Sequence, residues 1–138
     1  MTFATAVQPR SLRVFCLEDN PLIVFHLEHM IEDMGHVFVG ALGSFSDLKD
    51  RWSALDLDCV LVDIDLADGR TGPDAAAWLT GKGVPSLFVT GQDSVAAEHV
   101  GKAVGIVPKP ITPSAFKAAM ALMTAALQAA QRRRPGLD

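Results

Sequence analysis

Short apolar runs alternate with stretches of helical periodicity along almost the whole chain. The runs cover about 12–17, 37–41, 59–63, 85–90 and 104–107. Helices are predicted at about 21–34, 46–54, 74–81 and 94–101, with a final helix capped by Thr112 or Ser114. Apolar strands alternating with helices are typical of a parallel sheet covered on both faces. The sequence therefore predicts an α/β fold, a doubly wound five-stranded parallel sheet with five helices.

The first and last helices have the clearest local signals. Asn20 followed by Pro21 reads as a helix N-cap with proline in the first turn. Apolar residues then recur at helical spacing, which gives each helix one face for the core. These residues are Ile23, Leu27, Met30, Ile31 and Met34 in the first helix, and Phe116, Met120, Met123 and Leu127 in the last.

The length of 138 residues suits one domain with one core. Apolar residues make up 49% of the chain and charged residues 20%, as in globular domains. We expect a domain over 11–130, a flexible N-terminus at 1–10 and a flexible basic tail at 131–138. Since no stretch is left for an effector domain, the chain is predicted to be a stand-alone module.

Charge and cysteine usage narrow the possible partners. The net charge of −4 argues against a nucleic-acid partner. No apolar stretch is long enough to cross a bilayer, and the N-terminus does not have the pattern of a signal peptide. Cys16 and Cys59 lie in predicted strands without metal-ligand spacing, which favours buried, reduced thiols. We therefore expect a cytoplasmic protein with no membrane partner.

Polar side chains follow four of the five predicted strands. The first strand ends in Glu18 and Asp19, the third in Asp63, the fourth in Thr90 and the fifth in Lys109. In an open parallel sheet, ligands bind beyond the carboxyl ends of the strands. We expect these side chains to converge at that edge.

This set of groups suits phosphoryl transfer onto a carboxylate. Crowded carboxylates repel one another, and Mg²⁺ relieves the repulsion while also binding phosphate oxygens. A carboxylate can attack phosphorus, and the Lys109 ammonium and Thr90 hydroxyl would stabilise the transferring oxygens. Taken singly, the acidic pair could be a helix cap and Asp63 a turn residue, but the combination points to this chemistry.

Four segments, "LEDNP", "VLVDIDLADGRTG", "LFVTG" and "VPKP", occur in an order and spacing that resemble the receiver domain of two-component response regulators. The resemblance covers about 12–127. It implies that Asp63 is the phosphoacceptor, that Thr90 is the switch hydroxyl and that Lys109 contacts the phosphoryl group. It also implies a Mg²⁺ site formed by Glu18, Asp19, Asp63 and the main-chain carbonyl of Asp65. In this family the Lys109–Pro110 peptide bond is usually cis.

Asp63, rather than Asp65, is the predicted nucleophile, because Asp63 directly ends the apolar run and side chains alternate along a strand. Gly69 and Gly72 would let the loop that follows pass close to the metal. Asp65 and Gln92 correspond to family positions that tune the lifetime of the aspartyl phosphate.

The chain departs from the usual receiver pattern at Ile106. This position, three residues before the lysine, is normally Tyr or Phe, and the rotation of that ring reports phosphorylation. The segment "FVTG" at 88–91 resembles the FATGUY class of single-domain regulators, which lack the aromatic residue. We hypothesise that the loop after Thr90 orders on phosphorylation instead, with Gly91 as a hinge.

The resemblance implies a sensor histidine kinase or a histidine phosphotransfer protein as partner. Leu22, Phe25 and His26 form a second set on the first helix, which fits either a wide core stripe or a docking face for a kinase helix pair. The alanine-rich last helix could pair with its own copy, so a monomer or a weak homodimer is expected.

Two other functions remain open from the sequence. The "DID" of residues 63–65 matches the start of haloacid-dehalogenase-like phosphatases, in which the second aspartate is the acid/base. Against this, two predicted strands precede the motif here. The other alternative is a receiver-like binding module that works without phosphorylation. In the receiver hypothesis the chain is not a classical enzyme, because it catalyses only its own phosphorylation and dephosphorylation.

Overall fold

The computed structural model describes residues 11–91, 93–99 and 101–132. The expectations for 1–10, for Gln92 and for 133–138 lie outside the described residues. The last helix includes residues 131 and 132, so it ends two residues beyond the predicted domain boundary.

Five parallel strands form one sheet, as predicted. Their bounds are β1 Arg13–Leu17, β2 Val37–Leu42, β3 Cys59–Val62, β4 Ser86–Thr90 and β5 Gly105–Pro108. The strand order is β2-β1-β3-β4-β5. The chain adds β2 on one side of β1 and β3 on the other, so the direction in which strands are added reverses at β1. Such a switch point favours a ligand site at the carboxyl ends of these strands.

The helices are α1 Pro21–Asp33, α2 Phe45–Arg51, α3 Gly72–Gly81, α4 Asp93–Glu98 and α5 Pro113–Arg132. A 3₁₀ turn, Trp52–Ala54, takes the place of the predicted last turn of α2. The predicted starts of α2 at 46 and α3 at 74 were late by one and two residues, and α4 ends before the predicted residue 101.

Side-chain caps explain three of the helix starts. The Asn20 side chain accepts from Leu22 N, as the sequence predicts. Ser44 Oγ accepts from Asp47 N at 3.0 Å and so starts α2 earlier than predicted. Thr112 Oγ1 accepts from Ala115 N at 3.2 Å, which selects Thr112 over Ser114 as the cap of α5.

Alternate strand residues feed two cores, one on each face of the sheet. The first core lies under α1 and α5 and the second under α2, α3 and α4. The first contains the predicted helix faces, with Leu27, Met30, Ile31, Phe116, Met120 and Met123 buried. The second contains Leu48, Ala75, Ala76, Leu79 and Ala96 from the helices. Cys16 and Cys59 are both buried and unbridged. These two layers are the doubly wound architecture predicted from the sequence.

The strand register brings the polar residues to one edge. Leu17 pairs with Val62, and Thr90 pairs with Pro108. The next residues, Glu18, Asp63 and Lys109, therefore emerge at the same edge of the sheet, with Glu18 and Asp63 on neighbouring strands. The Lys109–Pro110 bond is cis, as the resemblance implied. Among the described residues, no helix is both long enough and apolar enough to span a membrane.

Candidate functional site

Three carboxylates meet at the carboxyl edge of the sheet. Glu18 and Asp63 are buried, whereas the neighbouring Asp19 is exposed. One oxygen from each of the three lies within 4.8 Å of the others. The predicted acidic residues of β1 and β3 are thus brought together, with their open side at Asp19.

The Lys109 ammonium spans two of these carboxylates. Its Nζ lies 3.2 Å from Glu18 Oε1 and 3.3 Å from Asp63 Oδ2. The lysine side chain is 25% exposed, so these ion pairs are partly shielded from water. Charge-assisted hydrogen bonds of this kind are stronger than neutral ones. Lys109 therefore holds together two acids that would otherwise repel.

Burial and mutual repulsion dominate the electrostatics. Burial, followed by the charge of Asp63, raises the pKa of Glu18 to about 7, although Asn20 N and Lys109 act in the opposite direction. Burial alone would lower the pKa of Lys109, but the charges of Asp63 and Glu18 outweigh burial and raise it. At neutral pH the site has an excess of negative charge.

The donor set fits a hard divalent cation. Mg²⁺ takes oxygen ligands, binds one or two carboxylates directly and keeps several waters. The cluster offers three carboxylate oxygens close together, and the exposed Asp19 leaves room for water. Glu18, Asp19 and Asp63 could therefore hold Mg²⁺.

Thr90 ends β4 with its side chain buried. Its main-chain carbonyl accepts from Lys109 N at 3.0 Å, which ties the end of β4 to the lysine. Asp63, Thr90 and Lys109, three of the five residues predicted at this edge, lie at the ends of the three adjacent strands β3, β4 and β5.

The main chain after Asp63 is packed closely against the start of α3. Ile64 N donates to Asp63 Oδ1 at 2.8 Å, which fixes one oxygen of the carboxylate. Gly72 N donates to Ile64 O at 3.0 Å. A Cβ on Gly72 would overlap Asp63 O, so the absence of a side chain allows this approach. The sequence predicted that Gly72 lets the loop pass close to the metal, whereas its contact is with the main chain of Asp63 and Ile64.

The Asp65 side chain has a partner outside the acidic cluster. Arg70 Nε donates to its Oδ1 at 2.9 Å, and the Asp65 side chain is 47% exposed. The role of the Asp65 carbonyl as a metal ligand stays a prediction. Gln92, the other predicted lifetime residue, lies outside the described residues.

The contacts of two residues in this loop were not predicted from the sequence. Asp68, the third aspartate after the apolar run, accepts from Phe45 N and Ser46 N, at 3.3 and 3.1 Å, and so caps α2 from a different loop. Arg70 is the partner of Asp65. The "DG" at 68–69 is a recognisable turn signal, but the sequence does not say which helix the turn contacts.

The structure shows whether Leu22, Phe25 and His26 on α1 belong to a wide core stripe, as one reading of the sequence allowed. Leu22 is 77% exposed and Phe25 is 62% exposed, and His26 is also exposed. The Phe25 ring packs against His29, with ring centroids 4.3 Å apart. These residues are not part of a wide core stripe. The docking role proposed for them stays a prediction.

Comparison with known proteins identifies relatives over most of the chain. The family model described as response regulator receiver domain matches residues 14–121. The phyllosphere-induced regulator PhyR of Methylorubrum extorquens is 30% identical over 124 residues, which are 87% of this chain and 46% of that protein. The chain therefore spans about half the length of this relative.

Solved structures of PhyR have the same fold. The crystal structure of the response regulator PhyR from Brucella abortus has a TM-score of 0.82 and 27% identity, covering 95% of this chain and 55% of that one. The crystal structure of the anti-anti-sigma factor PhyR from Bartonella quintana has a TM-score of 0.78 and 26% identity, covering 99% of this chain and 55% of that one. With the family match over residues 14–121, these findings place the chain in the response regulator receiver domain family.

Proposed function

We propose that the chain accepts a phosphoryl group on Asp63, in a Mg²⁺-dependent reaction, from a sensor histidine kinase or a histidine phosphotransfer protein. The phosphorylated form then signals through altered contacts with another protein, or acts as a phosphate shuttle or sink. The observation that carries the proposal is the Lys109 ammonium held 3.2 Å from Glu18 and 3.3 Å from Asp63. The ammonium compensates charge beside Asp63, the carboxylate that follows the central strand β3.

Asp63 is the nucleophile in this proposal. One of its carboxylate oxygens attacks phosphorus while the bond from phosphorus to the donor's imidazole nitrogen breaks, and that electron pair leaves with the nitrogen. The hydrogen bond from Ile64 N to Oδ1 restrains the carboxylate before it reacts. Its side chain is 12% exposed, so it is partly accessible to a donor.

The surrounding residues bind the transferring group. Lys109 neutralises phosphoryl oxygens, and the Thr90 hydroxyl donates a hydrogen bond to one of them. Glu18, Asp19, Asp63 and the Asp65 carbonyl would hold Mg²⁺, which would supply positive charge for the carboxylates and the incoming phosphoryl group. Dephosphorylation is a separate hydrolysis, in which water attacks phosphorus, the bond from phosphorus to the Asp63 oxygen breaks, and the carboxylate and inorganic phosphate are released.

The phosphatase alternative receives less support. It requires the Asp65 carboxyl as an acid/base, but that carboxylate is paired with Arg70 at 2.9 Å. The match to the receiver family over residues 14–121 also favours a phosphoacceptor. Since the PhyR proteins are about twice as long as this chain, their output is not transferred to it.

The intact mass of the protein tests the proposal. Wild type is incubated with Mg²⁺ and acetyl phosphate, and in parallel with purified histidine kinases and ATP. We expect one added phosphoryl group in wild type and none in Asp63→Asn or after chelation of the metal. Asp50→Asn, which changes an exposed aspartate on α2, is the matched control and should be modified like wild type.

A wild-type protein that gains no phosphoryl group from either class of donor would contradict the proposal. That result would favour the binding module that works without phosphorylation. Release of phosphate from a generic phosphate ester would instead favour the phosphatase.

A further inference from the structure

A tight hairpin turn lies in the loop between β3 and α3. Leu66 and Gly69 exchange main-chain hydrogen bonds, with N to O distances of 2.8 and 3.0 Å. Gly69 has a φ of +102°, which glycine adopts at little cost. The reversal puts Asp65 and Arg70 opposite each other, as cross-strand neighbours. Arg70 Nε donates to Asp65 Oδ1 at 2.9 Å as a consequence.

This turn is anchored at its tip. Ala67 N donates to Gly43 O at 2.9 Å. The Asp68 carboxylate accepts from Ser46 N at 3.1 Å and from Thr71 Oγ1 at 2.7 Å. An ordinary surface ion pair is weakened by the entropy of holding two long side chains in one geometry. Here the main chain on both sides of the pair is already held, so the guanidinium and the carboxylate stay together.

Asp65 adds a charge near an edge that is already strongly negative. It lies two residues after Asp63, the proposed nucleophile. Asp63 is already clustered with the carboxylates of Glu18 and Asp19. The Asp65 side chain is 47% exposed, on the solvent side of the loop. Phosphodonors are anions, and a further uncompensated carboxylate here would slow their approach.

Arg70 provides the compensating charge. The hydrogen bond to Asp65 and its charge raise the pKa of Arg70, with a smaller contribution from the charge of Glu98 on α4. The guanidinium therefore lies in a negative field in which Asp65 is the dominant partner.

We infer that Arg70 is a positioning residue for phosphorylation, holding the Asp65 carboxylate and compensating its charge so that anionic phosphodonors reach Asp63. The inference rests on the proposed function of Asp63 as phosphoacceptor. Arg70 acts through Asp65 and does not itself bind the phosphoryl group.

A double-mutant cycle measures this effect as the rate of phosphoryl gain by intact mass. Arg70→Gln should slow phosphorylation by acetyl phosphate by about three- to tenfold, as expected for a local charge in electrostatic steering. In the Asp65→Asn background the same change should have less than about a twofold effect, since the carboxylate that Arg70 contacts has lost its charge. Arg70→Lys keeps the charge and should retain most of the rate.

The charge of the donor separates this role from a purely structural one. Phosphoramidate carries less negative charge than acetyl phosphate at neutral pH, so Arg70→Gln should slow it less. Arg51→Gln removes an equal charge at the far end of α2 and should leave both rates unchanged. A structural defect would slow both donors alike.

Equal slowing by Arg70→Gln in the wild-type and Asp65→Asn backgrounds would overturn the inference. So would equal slowing with both donors, or no slowing at all in a chain that is phosphorylated on Asp63. A wild type that gains no phosphoryl group would overturn the proposed function as well, so the two failures are distinguishable.

Discussion

The main chain of Gly72 lies directly against the main chain of Asp63. A Cβ on Gly72 would overlap the carbonyl oxygen of Asp63 and come within 2.7 Å of Ile64 Cα and 2.8 Å of Ile64 O. These atoms are main chain and cannot rotate away. The start of α3 therefore packs directly on the residue that we propose as the nucleophile.

Substitution of Gly72 tests this contact. We expect Gly72→Ala to lower the free energy of unfolding by about 2 kcal/mol or more and to slow phosphoryl gain, because the loop after Asp63 must move. Thermal unfolding and intact mass measure the two effects. Gly81→Ala lies in the same helix with nothing within 4 Å of the new Cβ, and it should stay within about 1 kcal/mol of wild type. Equal stability of the two variants would contradict the packing argument.

The raised pKa of Glu18 makes the metal-free protein less stable as pH rises. Its pKa increases from 4.5 to about 7 on folding, chiefly through burial, so the folded state binds more protons between these values. Stability should fall by on the order of 3 kcal/mol as pH rises through this window. Chemical unfolding at pH 5 and pH 8 in the presence of a chelator measures the change.

Glu18→Gln provides the control for this pH dependence. The variant has no proton to lose at this position, so the fall in stability between pH 5 and pH 8 should be smaller. Mg²⁺ should flatten the wild-type dependence, since it favours the ionised carboxylates. If the free energy of unfolding depended on pH in Glu18→Gln as it does in wild type, a group other than Glu18 would be responsible.

Removing Lys109 should expose the repulsion between Glu18 and Asp63. We expect Lys109→Met to lower the metal-free free energy of unfolding by about 1 to 3 kcal/mol, because a buried carboxylate loses its partner. Added Mg²⁺ should stabilise this variant more than it stabilises wild type. Phosphoryl gain should also slow, by about tenfold or more, if the ammonium stabilises the transferring oxygens. The exposed Lys117→Met is the matched control in both measurements, and a similar response of the two variants would refute the role of Lys109.

Asp68, in the loop between β3 and α3, should stabilise the start of α2. Asp68→Ala removes the acceptor for Phe45 N and Ser46 N and should cost about 1 to 2 kcal/mol in thermal unfolding. Burial is the largest single influence on the Asp68 carboxyl and opposes its ionisation, but the hydrogen bonds from Thr71, Ser46 and Phe45 together lower its pKa. The difference between variant and wild type should therefore shrink as pH falls through this lowered pKa.

Asp50→Ala serves as the control for this helix, because it removes a carboxylate that is exposed on α2. It should change the free energy of unfolding by less than about 0.5 kcal/mol, as is usual for surface positions. If the cost of Asp68→Ala were no larger than this, the capping role would be wrong.

The fold could be predicted because its signals are local. The apolar run of β3 and the spacing of Leu27, Met30 and Ile31 in α1 fix element type without knowledge of the partners. Element ends were less accurate, since they depend on caps. The α2 boundary was missed because Ser44 and Asp68 both satisfy its first N–H groups, and Asp68 comes from another loop.

The order of the elements, and the edge at which Glu18, Asp63, Thr90 and Lys109 emerge, follow from the sequence alone, because parallel strands present their carboxyl ends on one side. Which of these groups touch depends on tertiary packing. Lys109 reaches Glu18 across 91 positions of the chain, and Asp68 reaches Ser46 across 22. The pairing of Arg70 with Asp65 depends on the turn at Leu66 and Gly69. Such contacts follow from loop conformation and strand register, which hydrophobic periodicity does not encode.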